Sequence, residues 1–292
     1  MLTRVTKLSD KCMLVKLTIK RAALTKRDNF LTDKIQRQEG DSSLTVLTKL
    51  FRDKSSPINQ IMQAANEVYA YHRKHTLPYT DAGPRILPSN NYMDYTQELK
   101  HLIAKVDNLK MQWLPHYDQL VRDDVMYRNA GHAAGRATVD EYPSADDFDR
   151  TTAIEYRFAP MPDSRHFLFD LSDEDMKAFE QAEADAAATA NADTVARMLK
   201  PLSSLVTRLK EFQGSKSERW HNSLIQNVIE GCDLASKLTL NPTPELTAQI
   251  NELRQAAKDC LDDVEIIKGS AIKRDEAKRR LEEVAARMGA FA

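Results

Sequence analysis

Glycine is scarce in this chain: 8 of 292 residues, well below the ~7% of an ordinary soluble protein. Sandwiches, barrels and Gly-rich nucleotide-binding folds need more turn glycines than that, so those classes drop out first. Only Gly131 and Gly135 fall within five residues of each other. There is no GxxxxGK[ST] and no GxGxxG, which removes the usual backbone cradle for phosphate. The three cysteines, Cys12, Cys232 and Cys260, are odd in number and far apart. They form neither a disulfide framework nor a zinc knuckle, and they read as the reduced thiols of a cytoplasm. No run of about 18 apolar residues occurs, so no membrane-spanning helix is expected. Residues 1–20 alternate charged and apolar positions and do not read as a secretory signal.

Catalytic signatures are equally thin. His72 and His75 are three apart, but Arg73 and Lys74 between them repel a divalent ion, and no HExxH or suitably spaced carboxylate accompanies them. No GxSxG elbow exists, and Cys12 sits in a strand-like pattern where a thiol acts as a small hydrophobe. The carboxylates Asp146–Asp147 and Asp173–Glu174–Asp175 stand at expected helix starts, where the helix dipole accounts for them. The expectation is therefore a protein that is not an enzyme and carries no metal and no cofactor.

What is present is a helical composition with an uneven charge. Apolar residues make up 42% and charged residues 29%, enough for a packed core. The formal net charge is −1, yet residues 1–54 hold 13 Lys/Arg against 6 Asp/Glu, net +7. Residues 140–193 hold 4 against 15, net −11. Such asymmetry points to a nucleic-acid partner or an oppositely charged protein. Two solvated faces, or two faces paired inside one fold, explain the same numbers.

Along the chain, period-two alternation over 11–20 predicts a β-strand, with Lys16, Thr18 and Lys20 on its wet face. Helical spacing follows at 23–37, closed by Gly40, and again at 45–53. Ser56–Pro57 opens a strong helix running to His75. Three prolines make 76–91 a loop. Helices are expected at 92–112 and 116–126, separated by Pro115, and a Gly/Ala-rich crossover at 128–139. Ser144 with Asp147 caps a helix. Alternation at 156–158 and 167–169 predicts a hairpin. Ser172 and Asp175 cap a helix reaching 212, and three more follow at 217–239, 244–262 and 265–288. The fold expected is α+β and mainly helical: a small antiparallel sheet packed on long helices, with a helical C-terminal half. A composition break at 213–217 divides residues 1–213 from 214–292. The narrow apolar stripe of the last helix, Ile272, Leu281, Val284 and Met288, suggests that it packs against another chain, as in a homo-oligomer, or remains mobile.

The residues that suit nucleic-acid binding are Lys16, Lys20, Arg21, Lys26 and Arg27, followed by Arg73, Lys74, Tyr79 and Arg85. Clustered cations displace counterions from phosphates, and interleaved rings stack unpaired bases. A basic last helix adds further charge. Tyr69, seven residues from Met62 and four from Ala65, is expected in the core, whereas Tyr79 lies in a loop, where functional side chains concentrate. The competing reading is an adaptor that binds protein alone, a helical partner of an ATPase or polymerase.

The segments VKLTIKRAALTKRD at 15–28, YHRKHTLPYTDAGPRILPSNNYMDY at 71–95, YPSADDF at 142–148 and YRFAPMPD at 156–163, in that order, resemble a family of largely uncharacterised bacteriophage proteins over roughly the first 175 residues. The chain is also similar to the single-stranded-DNA-binding RNA polymerase cofactors of podoviruses that package a virion RNA polymerase. That resemblance implies a fold other than the OB barrel, sequence-independent binding of melted promoter DNA, a phage RNA polymerase as partner, and residence in the host cytoplasm. The sequence departs from the phage family at Tyr79, where tryptophan is expected, and at Ala23–Leu24, where a bulkier stretch is. Both departures weaken a stacking role there.

Overall fold

The computed structural model describes residues 8–79, 83–131, 135–162, 172–213, 219–240 and 242–289. The chain forms two compact units. The first comprises Met1–Lys16, Arg73–Tyr95 and Arg157–Ala292, the second Leu17–His72 and Thr96–Tyr156. The composition break near 213 is not where they divide, because the helices on either side of it share one core.

In chain order the elements are α1 (Leu8–Lys11), β1 (Cys12–Ile19), β2 (Thr25–Arg27), α2 (Asn29–Glu39), β3 (Leu47–Lys49), α3 (Pro57–His75), β4 (Arg85–Pro88), α4 (Tyr92–Trp113) and α5 (Tyr117–Ala130). There follow α6 (Ala145–Thr151), β5 (Ile154–Pro160), α7 (Asp173–Glu211), α8 (Ser223–Leu238), α9 (Pro244–Asp262), α10 (Val264–Gly269) and α11 (Ala271–Met288). The architecture is α+β and mainly helical, with a three-stranded sheet in the order β4-β1-β5, a separate β2-β3 pair and a helical C-terminal half.

The first unit has two clusters of buried side chains. Val195, Met198, Leu202 and Leu205 of α7 pack with Ile225 and Val228 of α8, Ile250 and Leu253 of α9, and Leu281, Val284 and Met288 of α11. Three of the four apolar residues of the last helix are thus consumed within the chain, and Ile272 alone of them stays exposed, at 73%. The stripe is therefore no argument for a second copy. The second cluster joins Leu8, Leu14, Leu77 and Ile86 to Leu234 and Leu238. β1 runs antiparallel to β4 with Cys12 opposite Pro88 and Val15 opposite Arg85. As Leu14 and Val15 are both buried, this end of the strand is covered on both faces, unlike the half-wet strand that alternation predicts.

Several segments differ from their local pattern for tertiary reasons. Within 45–53 the chain forms β3 (Leu47–Lys49) rather than a helix, because it pairs with β2 and backbone bonds from Asp28 N to Val46 O and Leu50 N to Leu24 O, both 2.9 Å, extend that pairing. The preceding helix starts at 29 rather than 23, since Asp28 caps it by accepting from Leu31 N at 2.9 Å. It ends where expected, with Gly40 at φ 68°, a conformation that a side chain disfavours. The proline-rich segment contains β4, bridged by paired 2.9 Å bonds between Leu77 and Ile86. The expected crossover begins inside α5, which runs to Ala130. The last helix breaks at Ser270 into α10 and α11. The expected second hairpin strand at 167–169 lies outside the described residues, as do 214–218 of the composition break.

Candidate nucleic-acid interface

Two adjoining clefts in the second unit gather the cations of the β2-β3 pair. One, of about 650 Å³, is lined by Lys49, Arg52, Tyr127 and Arg128 among others. The other, of about 180 Å³, is lined by Lys26, Arg27, Phe30, Arg136 and Glu141. Asp28, Thr48 and Arg128 line both, so the two clefts lie side by side and together make up a groove. Its lining holds six cationic side chains (Lys26, Arg27, Lys49, Arg52, Arg128, Arg136) against two carboxylates, Asp28 and Glu141.

Both carboxylates are already committed. Asp28 is the N-cap of α2, and Glu141 Oε2 lies 2.7 Å from the Arg128 guanidinium. Lys26 Nζ is 3.6 Å from Glu141 Oε1 and half-exposed. At that distance and exposure an ion pair contributes little, so a phosphate can displace it. Arg27, Lys49 and Arg52 are exposed and form no ion pair among the described residues.

Two aromatic side chains on the groove face solvent, Phe30 and Tyr127, each 56% exposed. The Arg136 guanidinium sits 4.3 Å over the Phe30 ring. The pair presents a flat, cationic platform of the kind on which a base stacks. Phe30 occupies this place because capping at Asp28 puts it in the first turn of α2, while Thr32 is the residue that α2 buries, its Oγ1 accepting from Val46 N at 3.0 Å.

Beneath the groove lies a buried polar network. Asp124 accepts from Phe51 N at 2.8 Å, Arg52 N at 3.0 Å and the Tyr142 hydroxyl at 2.5 Å. The Tyr142 hydroxyl in turn accepts from Arg128 Nη1 at 3.1 Å. Phe51 adopts φ 49°, an uncommon conformation for a bulky residue, held by contacts around it. Burial, and then the bond to Asp124, push the Tyr142 hydroxyl pKa well above its ordinary value. For Arg128 burial opposes the charge, but bonds to Tyr142 and Glu141 outweigh it and hold the guanidinium above its usual value.

Of the nine residues expected at the interface, the groove brings together Lys26 and Arg27. Lys20 and Arg21 are exposed in the same unit but line neither cleft. Lys20 Nζ is 3.6 Å from Glu155, and Arg21 lies 5.9 Å from the ring centre of Tyr69. Tyr69 itself is 45% exposed rather than in the core, because α3 buries the adjacent Val68 and Ala65 instead. Lys16, Arg73 and Lys74 are exposed in the first unit. Arg85 and Tyr79 do not serve as expected. Arg85 is 9% exposed and donates to Thr76 Oγ1 at 2.8 Å and Thr76 O at 3.0 Å, while Tyr79 packs against the second core cluster. The bridge between Leu77 and Ile86 folds this proline-rich segment inward.

The cations of the last helix also leave no basic ridge. Lys273, Lys278 and Arg279 pair with Glu276 or Asp275, Arg280 with Asp259, and Arg287 with Glu252. Arg274 is buried on the carbonyls of Ile267 and Lys268. The groove residues that sequence reasoning missed are Phe30, Lys49, Arg52, Tyr127, Arg128 and Arg136. Phe30 was hidden by its helical spacing with Leu31 and Ile35, and Arg52 by its place in a presumed helix.

Burial disfavours the thiolate form of the three cysteines. Burial raises Cys12 and Cys260 to about 11 and Cys232 to about 12. No helix among the described residues is long and apolar enough to cross a membrane. No protein-family model, curated protein or solved structure matches the chain.

Proposed function

We propose that this chain binds single-stranded nucleic acid, without reading its sequence, along the groove of the second unit. The observation that carries the proposal is six cations against two committed carboxylates in one groove with the exposed Phe30–Arg136 platform. Arg27, Lys49 and Arg52 neutralise phosphates, and Lys26 joins them by leaving Glu141. Phe30 under Arg136, and Tyr127, offer ring faces to unpaired bases; a duplex keeps its bases stacked on one another and cannot use them. Binding is stoichiometric. By holding separated strands the protein shifts a duplex-to-open equilibrium toward the open form.

The resemblance to phage proteins implies DNA as the strand, a melted promoter as its setting and a phage RNA polymerase as a further partner, and these belong to the same proposal. A fluorescence-anisotropy titration with a labelled single-stranded oligomer and with the matching duplex tests it. The single strand binds more tightly, and its binding weakens as salt rises. An adaptor that touches only protein binds neither.

A further inference from the structure

Arg73 and Lys74, two of the expected strand-binding cations, lie outside the groove. Both line a different cleft, of about 640 Å³, in the first unit. α7 supplies Arg197, Lys200 and Pro201 to this cleft, and α8 supplies Glu230 and Gly231. Four cations thus face a single lining carboxylate. Glu230 is 3.7 Å from Lys74 Nζ, both half-exposed, a weak pair that an anion can replace. Lys200 is exposed and forms no ion pair among the described residues.

Arg197 is held in place. It pairs with Asp193 at 2.5 Å and donates to Thr76 O at 2.9 Å and to Lys74 O. It therefore caps carbonyls at and just beyond the C-terminal end of α3 and fixes the wall that carries Arg73 and Lys74.

Pro201 gives the cleft its second property. A proline inside a helix lacks the N–H that would bond the carbonyl four residues earlier, so Arg197 O loses its regular helical partner. Gly231 lies opposite: a Cβ built there would stand 3.7 Å from Pro201 Cγ and 3.8 Å from Arg197 O. With no side chain at Gly231, α8 packs directly against the proline ring, and both residues line the cleft. Leu234 completes an apolar floor. Cations beside the apolar surface of Pro201, Gly231 and Leu234 suit a phosphate joined to a flat ring, and the volume is that of a small-molecule site.

We propose that this cleft binds a nucleoside phosphate, with the phosphates on Arg73, Lys74 and Lys200 and the base against Pro201 and Gly231. Isothermal titration of the full chain with ATP tests this, with tripolyphosphate and a short single-stranded oligomer as parallel probes. ATP binds the unmodified protein and binds an Arg27→Glu/Arg52→Glu groove variant equally well. An Arg73→Glu/Lys200→Glu variant, altered at two exposed positions, binds ATP about tenfold or more weakly with an unchanged melting temperature. Absence of ATP binding to the unmodified protein overturns the inference, and so does loss of ATP binding in the groove variant. Equal affinity for ATP and tripolyphosphate overturns the nucleoside assignment. The groove proposal stands or falls separately, on the oligomer.

Discussion

Tyr142 donates its hydroxyl to Asp124 Oδ2 at 2.5 Å, and the same carboxylate accepts the amides of Phe51 and Arg52. One buried side chain on α5 thus holds together the left-handed turn after β3, the base of Arg52 and the segment that carries Glu141. The floor of the groove is built from this junction, so the network's integrity and the groove's shape are linked.

Asp124→Ala removes the acceptor for three donors, two of which, Phe51 N and the Tyr142 hydroxyl, are left buried. The expected cost is about 3–5 kcal/mol, in the range for breaking a buried charged network by one partner. Asp124→Asn, which keeps one carbonyl oxygen, costs less. Urea unfolding of the two variants beside the parent measures both, and a cost below about 1 kcal/mol for the alanine variant contradicts this description.

Phe30→Ala separates stacking from stability. The ring is more than half exposed, so the melting temperature changes little. Oligomer binding weakens by about 1–3 kcal/mol if a base stacks there. Anisotropy titrations and thermal melts of the same preparation give both quantities; unchanged affinity removes Phe30 from the interface.

His75 gives a pH dependence of defined sign. Burial, then the nearby charges of Lys74, Lys237 and Arg197, lower its pKa from 6.5 to about 4, with Asp94 opposing. The unfolded chain therefore takes up this proton at a higher pH than the folded chain. The contribution of His75 to stability is full above about 6.5 and falls as pH drops from there toward about 4. Denaturant unfolding across that window shows a smaller decline in His75→Gln than in the parent. An identical decline in both assigns the acid sensitivity to other groups.

The long helices were legible because their signals are local. Pro57, the Ser144 and Ser172 caps and Thr243–Pro244 mark helix starts that the structure reproduces. β3 was not legible, since Leu47–Lys49 is extended only because β2 pairs with it. The site was partly legible. Lys26 and Arg27 are in the groove, but Lys49, Arg52, Tyr127 and Arg136 reach it from distant positions, and no sequence period links them. Arg85 misled because a cation in a proline-rich segment reads as surface, whereas the bridge between Leu77 and Ile86 draws it in to bond Thr76.

The central claim is that a single strand lies on the cations of the groove, and the salt dependence of oligomer binding tests it most directly. For the unmodified protein, the logarithm of the binding constant falls linearly with the logarithm of salt concentration, by about 0.7 for each phosphate neutralised on a single strand. Arg27→Glu/Arg52→Glu, altered at two exposed positions, binds more weakly and flattens that slope by about 1.4 or more, because two phosphates are no longer neutralised. No binding by the unmodified protein even at low salt, or the same affinity and slope in the double variant, contradicts the claim.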